Sequence, residues 1–137
     1  ATPVSNAAHV SKLSQLVASP PGWQLYNKDT VVGAKFAIAD GLVIPNTVTA
    51  TTTDGTLNLS AGGREVVTRR VFVYQSGVRT NVTDTTTSPL SNTSAMRIGA
   101  TQSGSTFDDA EIIAAAIWRR VLTTAELASI ATYYGAT

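Results

Sequence analysis

The sequence predicts an all-β domain: an antiparallel sandwich of about eight to ten short strands with one short helix at the C-terminal end. Three observations carry that reading. Short apolar segments alternate with polar residues and are interrupted by turn residues such as Asp40-Gly41, Asp54-Gly55 and Ser76-Gly77. Thr and Val, whose branched side chains suit a pleated surface, fill segments such as residues 47–53. A helical signature with its own start signal occurs near the C-terminal end, at Thr123-Thr124-Ala125-Glu126.

Taken in order, residues 7–17 place Val10, Leu13, Leu16 and Val17 at spacings that fit one helical face or a short strand. Ser19-Pro20-Pro21-Gly22 breaks the pattern, so residues 1–20 read as an N-terminal arm or edge segment and residues 21–137 as the domain. Trp23-Gln24-Leu25-Tyr26 alternates as a strand, Asn27-Lys28-Asp29 turns, and residues 31–38 form the next strand up to Asp40-Gly41. Residues 47–53 follow as a Thr-rich strand, and residues 56–60 resume with period two. The longest strand signal spans residues 64–67 and 70–74. After the turn Gln75-Ser76-Gly77, residues 78–83 return, and Met96-Arg97-Ile98-Gly99 is a further short strand.

Residues 111–118 are almost continuously apolar and of strand length, which predicts a central strand buried on both faces, with Trp118 in the core. The alanines there leave a helix open as the alternative. In the capping box that follows, the Thr123 hydroxyl takes an orphan amide and Glu126 reaches back. Leu127, Ile130 and Tyr134 then line one face of a helix that stops near Gly135.

Composition narrows the function classes. The 137 residues are 43% hydrophobic and only 14% charged, with a net charge of +1. That is too apolar for disorder, and it lacks the concentrated basic surface that nucleic acid requires. Arg69-Arg70 and Arg119-Arg120 are the local basic pairs. The absence of cysteine removes disulfides, thiolate metal sites and Cys nucleophiles together. No apolar run approaches the roughly 20 residues of a membrane-spanning helix. The first residues lack the charged start and apolar core of a signal peptide, so an exported chain would have lost its signal or travelled within a larger assembly.

The motif order of the C-terminal half runs Val73-Tyr74-Gln75-Ser76-Gly77-Val78, then Met96-Arg97-Ile98-Gly99-Ala100. Phe107-Asp108-Asp109-Ala110-Glu111-Ile112 follows, then Ile117-Trp118-Arg119-Arg120-Val121-Leu122-Thr123-Thr124-Ala125-Glu126-Leu127. With Gly22-Trp23-Gln24-Leu25-Tyr26 and Lys35-Phe36-Ala37-Ile38-Ala39-Asp40-Gly41 upstream, this resembles the laminin-G/concanavalin-A-like domains of secreted bacterial and phage virion proteins, over roughly residues 20–134. The resemblance implies a jelly-roll sandwich, a non-catalytic role and an extracellular or virion-surface location. Two departures stand out. Only about twenty residues precede the Gly22-Trp23 segment, where the family has several strands, which leaves an edge for a neighbouring chain to complete. Asp109-Ala110 also replaces the small glycine usual at that point.

Candidate site residues follow from chemistry and from the resemblance. Sugar binding uses aromatic faces with planar polar groups beside them. Trp23, Tyr26 and Tyr74 are the aromatic candidates, with Arg79, Asn81 and Asp84 from the hairpin, each weighed against a plain packing role. Trp118 is a further aromatic of this kind, and its apolar surroundings in sequence place it in the core. Related domains hold Ca2+ on the rim, and Asp108 with Asp109 could donate two of the six to eight oxygens that ion wants, although adjacent loop acids are more often simply solvated. Asp109 and Glu111 would share one strand face, but the denser acidic strand motif of glucanases is missing, so hydrolysis is the distant alternative. His9 is the sole histidine, with nothing to support a triad. Asn81-Val82-Thr83 and Asn92-Thr93-Ser94 match glycosylation sequons. Two functions remain: a glycan- or cell-surface-binding module, and a structural virion component (tail, fibre or capsid decoration) acting through subunit contacts. Both imply an oligomer or a larger assembly, with neighbours reached through an edge strand or the N-terminal arm.

Overall fold

A computed structural model of the chain describes residues 8–11, 21–27, 33–39, 46–51, 56–86, 89–90, 93, 95–99 and 112–136. Among these lie eight strands and one helix: β1 (Ala8–Ser11), β2 (Gly22–Asn27), β3 (Gly33–Ala39), β4 (Asn46–Thr51), β5 (Ser60–Glu65), β6 (Arg70–Gln75), β7 (Val78–Thr83), β8 (Arg97–Ile98) and α1 (Thr124–Tyr134). The strands form two antiparallel sheets, one in the order β4-β3-β2-β1-β8 and the other β5-β6-β7. The N-terminal segment supplies β1, which lies between β2 and β8.

Strand alternation decides what each face buries. In β2 and β3, Leu25 pairs with Phe36 and Trp23 with Ile38, so these four share one face. In β6 the odd-numbered Val71 and Val73 turn toward them. Leu25, Ala34, Phe36, Ile38, Val71 and Val73 form one core between the two sheets, with Trp23, Val82 and Leu90 packed at its margin. The sheets come very close at Gly62 of β5, where any Cβ would strike the Phe36 side chain. The opposite face of β2 and β3 is also buried: Gln24, Tyr26, Ala37 and Ala39 each retain 2% exposure or less.

The far face of the three-stranded sheet carries Phe72 and Tyr74, which pack against Leu122 and Leu127, with Leu59, Ala61, Val121 and Ile130 around them. This is the seat of α1. Its start follows the sequence reading: the Thr123 hydroxyl accepts from the Glu126 amide at 3.2 Å, and the Glu126 carboxylate accepts from the Thr123 amide at 2.8 Å. At its end the Ala136 amide donates to the Ala131 carbonyl at 2.8 Å, closing a Schellman turn at Gly135.

Several sequence expectations need correction. Residues 112–118 form no strand and are largely exposed, Ile113 at 60% and Trp118 at 47%. The continuous apolar run identified a segment fit for burial without saying whether this chain supplies the cover. Val66 and Val67 belong to no strand: residues 66–69 turn from β5 into β6, with Arg69 at φ +50° closing the turn. Residues 56–59 precede β5 rather than forming a strand of their own. By contrast, β2, β3, β4, β6, β7 and β8 fall where the sequence placed them, and within the first segment residues 8–11 are strand, the rest lying outside the described residues. The turns at Lys28-Asp29, Asp40-Gly41 and Asp54-Gly55 lie outside the described residues.

Candidate functional site

The hairpin β6–β7 brings two of the candidate polar residues together. Its turn, Ser76-Gly77, has φ of +49° and +77°, the geometry of a tight two-residue hairpin that fixes the pairing of Gln75 with Val78. That register sets Arg79 opposite Tyr74, Asn81 opposite Phe72 and Thr83 opposite Arg70. These six residues therefore point to the face that also carries α1.

There the Arg79 guanidinium lies 3.9 Å from the Phe72 ring centroid, donates to Asn81 Oδ1 at 3.2 Å and forms an ion pair with Glu65. Glu65 also accepts from the Thr68 hydroxyl at 2.6 Å. The Thr68 hydrogen bond, with Arg79 adding to it against the opposing effect of burial, holds the Glu65 carboxyl below its usual range. Phe72 is thus roofed by Arg79 while its ring edge covers Gly63. Asn81 is exposed beside this ion pair. The arrangement offers an exposed amide and a neutralised charge pair, which can hydrogen-bond a ligand but not move a proton.

Asp84 belongs to a separate ion pair. Its side chain is 2% exposed, paired with Arg64 Nε at 2.5 Å, and it accepts from the Thr86 amide at 2.9 Å as well as from the Thr86 hydroxyl. Burial pushes its pKa up, but the hydrogen bonds from Thr86 and Arg64 outweigh that, and the carboxyl ends below its usual value. Its backbone amide bonds the Arg69 carbonyl at 2.8 Å. Asp84 therefore clamps the end of the three-stranded sheet, joining β5, the 66–69 turn and the exit from β7.

The aromatic candidates go mostly to packing. Tyr74 is 1% exposed in the core beneath α1, and Tyr26 is 2% exposed, with Lys35 Nζ 5.9 Å from its ring centroid. Trp23 is half-buried, its ring centroid 6.3 Å from that of Phe36. Asp108, Asp109 and Glu111 lie outside the described residues, as does Asn92. Among the described residues no group of three or more His, Asp or Glu side chains is placed to hold a metal ion, and no helix is long and apolar enough to cross a membrane.

What sequence reasoning missed lies at the surface. Val66 and Val67 project from the tip of the β5–β6 hairpin at 69% and 97% exposure. Tyr133 and Tyr134 meet edge to face at 5.0 Å on the last turn of α1, and Tyr133 is 82% exposed. Ile113, Ile117 and Trp118 are exposed in residues 112–118. One signal was available beforehand: Glu111 precedes this apolar run and Arg119-Arg120 follows it, a charge order that suits a surface segment as well as a buried one. In comparisons with known proteins, no family model, no curated protein and no solved structure matches this chain.

Proposed function

We propose that this chain is a non-catalytic structural module of an extracellular or virion-surface assembly, working through contacts with neighbouring subunits. In this reading its two sheets form an antiparallel β-sandwich of the jelly-roll, concanavalin-A-like kind. The core that β2 and β3 share with β6 supports that fold assignment. The functional assignment rests on one observation: large apolar side chains stand in water at separate places on the surface, including Val67, Ile113, Ile117, Trp118 and Tyr133. Scattered apolar residues are ordinary, but an apolar run of strand length left open marks an interaction surface.

Glycan binding has less support, because Tyr26, Tyr74 and Asp84 are buried and Arg79 is engaged by Glu65. The test pairs two measurements on the purified chain. A glycan array in millimolar Ca2+ should stay silent, while light scattering should report a defined oligomer. Saturable binding to one glycan class by a monomeric chain would overturn the reading.

A further inference from the structure

The β5–β6 hairpin ends in a tip whose residues run against its conformation. Residues 66–69 form a four-residue turn between the paired Glu65 and Arg70, closed by the Arg69 amide on the Val66 carbonyl at 3.3 Å, with Arg69 at φ +50°. Turns ordinarily carry Asn, Asp, Gly, Pro or Ser, whereas valine favours strands. Here Val66 and Val67 hold the first two turn positions at 69% and 97% exposure, so neither packing within the chain nor backbone preference accounts for them. We propose that this tip docks on an anionic lipid surface, with the two valines entering the interfacial layer and Arg69 and Arg70 meeting the charged headgroups. The proposal goes beyond the subunit-contact reading and does not depend on it.

Charge identifies the occupant. Among the described residues at this end of the three-stranded sheet, each acid is matched: Asp84 by Arg64 and Glu65 by Arg79. Arg69 and Arg70 remain as surplus cations, both exposed and neither in an ion pair among the described residues. Arg69 donates to the Asp84 carbonyl at 3.4 Å, which keeps its guanidinium beside the tip without neutralising it. Apolar residues at the apex of a convex loop, with cations behind them, match the layering of an anionic bilayer. The two valines expose on the order of 200 Å², a fraction of the roughly 800 Å² per partner that a stable protein interface buries. A bilayer adapts to a convex tip without a matching groove, and neighbouring copies in an assembly add their weak contacts together.

The tip is also held in shape before any contact. The Thr68 hydroxyl donates to Glu65 at 2.6 Å, and the Asp84 amide donates to the Arg69 carbonyl at 2.8 Å, tying the turn to the exit from β7. A preformed tip loses little freedom when it docks. Each arginine near an anionic surface strengthens binding about fivefold, the equivalent of about 1 kcal/mol, and the attraction fades as salt rises. The opposite end of the same sheet supplies a control. Val78 is 60% exposed there, and the length of β6 sets it about 17 Å from the tip.

Vesicle co-sedimentation of the intact chain tests the proposal. Phosphatidylcholine vesicles with about one third phosphatidylserine should carry the protein down at low salt, and phosphatidylcholine alone should leave it in solution. Val66→Ser combined with Val67→Ser should weaken binding at least about tenfold, and Arg70→Gln about fivefold, with circular dichroism confirming the fold of each variant. The chain has no cysteine, so an environment-sensitive fluorophore on Val67→Cys reports entry directly. Its emission should rise and shift to the blue on the anionic vesicles, while the same label on Val78→Cys should not respond. No binding to anionic vesicles, or equal responses at positions 67 and 78, would overturn the proposal and leave the subunit-contact reading standing. Self-association lost in the double valine variant while vesicle binding persists would also overturn it, and would assign the tip to a second copy of the chain.

Discussion

Gly62 of β5 sits where the Phe36 side chain of β3 crosses between the sheets, and replacing it with alanine tests that crossing. The added methyl would meet Phe36 Cδ2, Cγ and Cβ, the last at 2.6 Å. Carbon atoms in ordinary contact stand about 3.5–4.0 Å apart, so Phe36 must retreat by about 1 Å. Because the clash reaches Cβ, rotating the ring does not relieve it, and β3 itself has to move away from β5. Overpacking of this kind costs about 1–3 kcal/mol, and the upper end applies here. Replacing a strand glycine returns about 0.5–1 kcal/mol of chain entropy, leaving a net loss of about 2 kcal/mol. For a chain of this length that lowers the melting temperature by about 6–10 °C.

Urea unfolding of Gly62→Ala should show a lower midpoint at unchanged slope, and Phe36→Ala, which removes Cγ and Cδ2, should cost less in the Gly62→Ala background than alone. The neighbouring Gly63→Ala is the internal control. Its methyl would meet only the far edge of Phe72, at 2.6 and 2.9 Å, on a ring that can slide beneath Arg79, so its cost should be about half. A Gly62→Ala protein within 0.5 kcal/mol of wild type, on the scale of an ordinary surface substitution, would refute the packing of β3 on β5.

Three further outcomes are expected. Asp84→Ala strips Arg64 and Thr86 of their shared acceptor and should cost about 2–3 kcal/mol in urea unfolding, at or just below the roughly 3–5 kcal/mol for breaking a fully buried pair because Arg64 keeps 20% of its side chain exposed. Gly77→Ala meets no atom within 4 Å, so its cost is conformational alone, about 1–2 kcal/mol at φ +77°, while Ser76→Asn should be neutral or stabilising at a first turn position that favours asparagine. Glu126, hydrogen-bonded first by Arg120 and then by the Thr123 amide and hydroxyl, has its pKa lowered from the ordinary 4.5 to about 2. Its contribution to the helix start is therefore complete above pH 4.5 and disappears as pH falls toward 2, which a carboxyl NMR titration with circular dichroism at 222 nm should trace.

The parts of the fold that were legible in the sequence are those specified locally. The Thr123–Glu126 box, the Ser76-Gly77 turn and the alternation in residues 23–26 and 70–74 each carry their own backbone or face preference. Residues 66–67 read as strand because valine favours strands, and the turn that holds them goes unannounced because Arg69 takes a left-handed backbone where glycine would have marked it. Residues 112–118 went wrong for a different reason: an apolar run records a demand for burial, and nothing local says which surface meets it. Burial of the candidate site residues was equally illegible: Tyr26 and Tyr74 are turned into packed faces by strand register, and Asp84, past the end of β7, is held by Arg64 and Thr86.

The mass of the native chain in solution bears most directly on whether this molecule works by association. Multi-angle light scattering across roughly 1–200 µM should show a mass above the 14.3 kDa of one chain. A mass that stays at one chain over the whole range would contradict the account.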